Sequence, residues 1–122
     1  MSLESCYEQF GGDLEGVRGR LLTDDRIKKF MGIFIQDTSF QLLIDSWESK
    51  DNAEAFRAAH TLKGIGRDLG FTPLCEASSA LADALRPDEN GNPANLEAAP
   101  ALLDQTKDAY ELIIGVISAE LS

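Results

Sequence analysis

Residues 55–70 read AFRAAHTLKGIGRDLG, and the spacing within them decides the fold. At about 100° per residue, Ala55, Ala58, Ala59, Leu62, Ile65 and Leu69 gather on one side of a helix, while Ala53, Phe56, Arg57, Lys63, Gly64 and Arg67 fall with His60 on the other. The first side is a core face. The one histidine of the chain therefore points away from the core and shares its surface with cations. The same helix carries Gly64 and Gly66, although each interior glycine costs a helix about 1 kcal/mol relative to alanine. At Gly64, four residues past His60, a missing side chain bares the imidazole and admits close approach by another molecule. Gly66 lies nearer the core side and suits tight helix packing. Gly70 suits the left-handed residue that follows a helix end.

Working outward, Asp51 is the N-cap of this helix, which runs to about Leu69. Upstream, "SLESCYEQF" is broken by "GG", and Asp13 caps a short helix through "LEGVRGRLL". Thr23 or Asp24 caps "DRIKKFMGIFIQ", with an apolar stripe of Ile27, Phe30, Met31 and Phe34. The tripeptide "DTS" at 37–39 offers a break before "FQLLIDSWES", where Leu42, Leu43 and Trp47 keep helical spacing. Downstream, Thr72 as N-cap and Pro73 at the first helical position open "TPLCEASSALADALR", with the stripe Leu74, Ala77, Leu81 and Leu85. The turn-rich segment 87–95 is the one long loop. A last helix follows, with Pro100 in its first turn and Leu102, Leu103, Tyr110, Ile113, Ile114 and Ile117 as its apolar residues. With four prolines and no sustained apolar–polar alternation, the expected fold is all-α: an antiparallel up-down four-helix bundle with short N-terminal helices packed on one end, formed by residues 1–122 as a single domain.

Composition narrows the function. With 21 acidic against 11 basic residues, a net charge of −10 excludes the clustered basic footprint that nucleic acid requires. Cys6 and Cys75 show no CxxC spacing, and with one histidine they make a poor zinc ligand set, so no metal is expected. No charged leader precedes an apolar run, and no apolar stretch approaches the roughly 20 residues of a membrane span. A cytoplasmic protein is expected, without membrane association and monomeric. The chain has no Walker-type glycine loop or kinase nucleotide motif, so no ATP-dependent kinase activity of its own is expected.

The residues around His60 suggest a phosphate chemistry. An ammonium at Lys63, one turn from the imidazole, offsets the charge of a phosphoryl group carried on it. The guanidinium of Arg67, a turn further, pairs with phosphate or with a partner's carboxylates. Phe56 has two readings: it lines a docking surface, or it is boundary core against a neighbouring helix.

The run HTLKGIGRDLG resembles the signature HxLKGxxxxxG of histidine-containing phosphotransfer (HPt) domains, with His60, Leu62, Lys63, Gly64 and Gly70 at the matching positions. The flanking segments from about residue 24 to 86 resemble the family's helices, and "YEQFGGDLEGVRGRLL" resembles free-standing bacterial members. After Gly64 the chain departs from the usual small polar residues, with Ile65, Gly66, Arg67 and Asp68. The resemblance implies that a neutral nitrogen of His60, expected to be Nε2, takes a phosphoryl group from an aspartyl phosphate on a response-regulator receiver domain and passes it to another receiver aspartate. It implies a hybrid histidine kinase upstream, Mg²⁺ on the receiver, and no cofactor bound to this chain. The alternative is a non-phosphorylated helical module that docks a receiver or kinase.

Overall fold

A computed structural model describes residues 2–121. It comprises α1 (Leu3–Phe10), α2 (Leu14–Leu21), α3 (Asp24–Gln36), α4 (Ser39–Glu48), α5 (Asn52–Asp68), α6 (Thr72–Leu85), a 3₁₀ turn (Leu96–Ala98) and α7 (Ala99–Leu121). No β-strand occurs among the described residues, so the protein is all-α as expected. Four of these helices start on a side-chain cap. Ser2, Asp13, Thr23 and Asp51 accept hydrogen bonds from the backbone N–H groups of Ser5, Gly16, Arg26 and Glu54, donors that otherwise have no partner in the helix.

The start of α6 differs from expectation. The Phe71 carbonyl accepts the first helical bond, from the Cys75 N–H at 2.9 Å, so Phe71 is the N-cap and Thr72 is already helical. Pro73 keeps its place in the first turn, where its missing N–H leaves nothing unsatisfied.

α4, α5, α6 and α7 each pack against their neighbour in the chain. The core has two parts. One gathers Tyr7 and Phe10 of α1, Phe34 of α3, Phe71, Leu74 and Ile113, with the Phe71 ring centroid 5.3 Å from Phe10 and 5.0 Å from Phe34. Burying a phenylalanine of this kind stabilises the fold by about 1.5–3 kcal/mol. The other part joins Leu43 of α4, the small residues Ala55, Ala58 and Ala59 with Leu62 of α5, and Leu81, Leu85 and Leu103. Alanines on the inner face of α5 let its neighbours come close.

Two expected core positions face outward. Leu42 is exposed while Leu43 is buried, because adjacent helical residues stand about 100° apart and α4 packs mainly on α5. Phe30 is also exposed. It borders a groove with Leu21, Ile33, Phe34, Ile65 and Leu69, left between α3 and α5.

Candidate functional site

α5 divides as its periodicity requires. Ala55, Ala58, Ala59, Leu62 and Gly66 are buried, and His60 is exposed. Lys63 and Phe56 are half-buried and Arg67 is exposed, so the five residues singled out by the sequence share the outer surface of α5, Gly64 among them. The adjacent Thr61 hydroxyl is spent within the helix, donating to the Arg57 carbonyl at 3.0 Å.

The three glycines occupy different environments. A Cβ on Gly64 would meet nothing within 4 Å, whereas one on Gly66 would lie 3.0 Å from the backbone nitrogen of Cys75. Gly66 therefore lets α6 pass close across α5. Gly70 has φ +68°. It closes α5: its N–H donates to the Arg67 carbonyl at 3.3 Å and the Phe71 N–H donates to Gly66 at 2.8 Å, the paired bonds of a Schellman stop.

Segments from the N-terminal helices hold that stop. The Tyr7 hydroxyl donates to the Leu69 carbonyl at 2.7 Å, and the Asp13 N–H donates to the Gly70 carbonyl at 2.8 Å. The Arg20 guanidinium donates to the Arg67 carbonyl at 2.8 Å. Burial pushes the Tyr7 phenol well above its ordinary pKa, so it remains a donor.

The cations around His60 are not equivalent. Arg57 is engaged by the Glu54 carboxylate one turn earlier, which raises its pKa. Arg67 lies 3.5 Å from the Asp68 carboxylate. The Lys63 side chain makes no hydrogen bond or ion pair among the described residues, so its ammonium is not engaged by a carboxylate as the guanidinium groups of Arg57 and Arg67 are. An exposed imidazole of this kind presents a nitrogen lone pair to an incoming electrophile.

Phe56 packs at the edge of the core, as the boundary reading expects. It is half-buried against the core part that holds Leu43, Leu62, Leu81 and Leu85, and its ring lies against His60, centroids 6.1 Å apart at an interplanar angle of 26°. Sequence reasoning missed a further residue. Arg86, at the end of α6, lies with its Cζ 5.4 Å from the Phe56 ring centroid. It is 26 positions from His60, and no helical period links the two.

The family model described as "Hpt domain" matches residues 30–113, a span that contains α4, α5 and α6 entirely. No curated protein matches the chain, and no solved structure does. Among the described residues no helix is long and apolar enough to cross a membrane.

Proposed function

The chain belongs to the Hpt domain family, whose members carry out histidine phosphotransfer in phosphorelays, and on that premise we propose that His60 is its phosphoacceptor. The observation that carries this reading is the exposed His60 imidazole with open space over Gly64, on a helix that has no packing reason to keep a glycine there. In the forward step a neutral imidazole nitrogen, Nε2, attacks the phosphorus of a receiver's aspartyl phosphate in line. A P–N bond forms, the acyl P–O bond breaks, and the aspartate carboxylate leaves with the electron pair. The other ring nitrogen keeps its proton, and Lys63 offsets charge on the phosphoryl oxygens.

Transfer onward reverses these bonds. A second receiver's carboxylate attacks, and the imidazole leaves as a neutral group. Mg²⁺ on the receiver supplies the remaining charge stabilisation. Arg67 and the rim of the site orient the partner, a receiver or a hybrid histidine kinase, and Gly64 admits the receiver aspartate. We read α4–α7 as an antiparallel up-down four-helix bundle with α1–α3 against one end, acting as one cytoplasmic, monomeric domain of residues 1–122. The packing of each of these four helices on its chain neighbour supports this reading.

Incubation with a phosphorylated receiver tests the proposal. Wild-type protein is expected to gain acid-labile, base-stable phosphate, and His60→Ala none. Lys63→Ala slows uptake by about tenfold, the scale of one charge-assisted hydrogen bond. Acid-labile label on folded His60→Ala protein would overturn the assignment, as would receiver binding without phosphoryl uptake by the wild type.

A further inference from the structure

We propose that Phe56 positions the His60 imidazole and that Arg86 holds the Phe56 ring, leaving the imidazole open toward Gly64. This rests on the reading of His60 as the phosphoacceptor. Side chains on a helix lean toward its N-terminus, so His60 leans over the residue four positions earlier, Phe56. The centroid separation of 6.1 Å and the 26° interplanar angle fall in the range of an offset aromatic pair. Phe56 is half-buried against the core part that holds Leu43, Leu62, Leu81 and Leu85, which keeps its ring from swinging away. The wall beneath the imidazole is fixed.

Arg86 supports that wall. Its guanidinium carbon lies 5.4 Å from the Phe56 centroid, within cation–π reach, and it donates to Asp83 Oδ1 at 3.0 Å. The backbone at Arg86 is held as well. Its carbonyl accepts from the Ala94 N–H at 2.9 Å, and Ala84 accepts from Asn95 at 2.8 Å, so the return of the 87–95 segment pins the end of α6 beside α5. Phe56 and Gly64 thus stand four residues before and four after His60, one a wall and the other a gap. In-line attack depends on the angle at which the nitrogen meets phosphorus. The stack sets that angle, and the gap sets the side from which the receiver aspartate arrives.

The test combines imidazole NMR of the unphosphorylated protein with transfer kinetics. A phenyl face over the imidazole shifts the His60 ring C–H signals upfield. In Phe56→Leu, which keeps apolar bulk, these signals are expected to move toward those of free histidine, and uptake from a phosphorylated receiver to slow by about tenfold. Phe56→Tyr restores both. Arg86→Gln moves the signals the same way and slows uptake by about threefold, with Arg86→Lys closer to wild type. If Phe56→Leu fails to fold, Arg86→Gln carries the same readings. Unchanged His60 signals in folded Phe56→Leu or Arg86→Gln protein would overturn the proposal. The spectrum is taken without phosphate, so it reports on the stack separately from the phosphoacceptor assignment, which His60→Ala labelling decides.

Discussion

Gly64 and Gly66 stand two residues apart on one helix, yet they answer to opposite neighbours. A side chain on Gly66 would run into the backbone of α6, and one on Gly64 would enter empty space. Gly70, a turn further, is held to its conformation by the Schellman stop and by the N-terminal helices that hydrogen-bond the end of α5. Gly66 and Gly70 therefore answer to neighbours within the molecule itself. The stretch around His60 is built outward. Gly19, Gly32 and Gly115 are equally open, and Gly64 differs from them in standing four residues after the exposed His60.

The largest stability effect belongs to the inward end. Gly70→Ala places a Cβ at φ +68° and into a Val17 methyl, and it is expected to lower stability by about 3 kcal/mol in chemical denaturation. A small loss would mean that the stop is slack and that the contrast with Gly64 is weaker than the geometry implies.

At the outward end the effect moves from stability to transfer. Gly64→Ala is expected to stabilise the isolated protein by up to about 1 kcal/mol, since helix propensity improves and nothing clashes. Gly64→Gln fills the gap beside His60 and slows receiver-dependent uptake by about a hundredfold with the fold intact. Full-rate transfer by Gly64→Gln would break the comparison, because the glycine would then have no external role.

The smallest effect is at Gly66. A Cβ there sits 3.0 Å from the Cys75 nitrogen and 3.2 Å from its Cα, so α6 must retreat by a few tenths of an ångström. The gain in helix propensity offsets part of that cost, and a net loss of about 1 kcal/mol is expected in thermal denaturation. A stabilised Gly66→Ala protein would place Gly66 with Gly64, as a residue that the core does not require.

Much of this was legible in the residues. The caps at Asp13, Thr23 and Asp51, the stop at Gly70 and the division of α5 into a core face and a His60 face follow from local rules: 3.6 residues per turn, side-chain acceptors for orphan N–H groups, and left-handed backbone that favours glycine. Where local rules conflict or fall silent, the sequence misleads. Thr72 has the chemistry of an N-cap, yet the helix begins a residue earlier because the Phe71 carbonyl takes the first bond. α4 stops at a left-handed Lys50, φ +62°, with no glycine to announce it. Leu42 and Leu43 are equally apolar, and only the partner helix chooses between them.

The same division runs through the site. His60, Lys63, Gly64 and Arg67 share one helix, so their convergence is a matter of period and the sequence by itself determined it. The sequence also determined the all-helical class, through stripes and caps that each lie within a few residues. Tertiary structure alone decided that Phe56 packs on the core while its ring lies beside His60, that α1 and α2 tie down the end of α5, and that Arg86 reaches the Phe56 ring from another helix. The physical reason is range: a helical period relates neighbours one or two turns apart, whereas a contact between α6 and α5 depends on how closely two helices pack, which the small residues Ala58, Ala59 and Gly66 permit but no local spacing specifies.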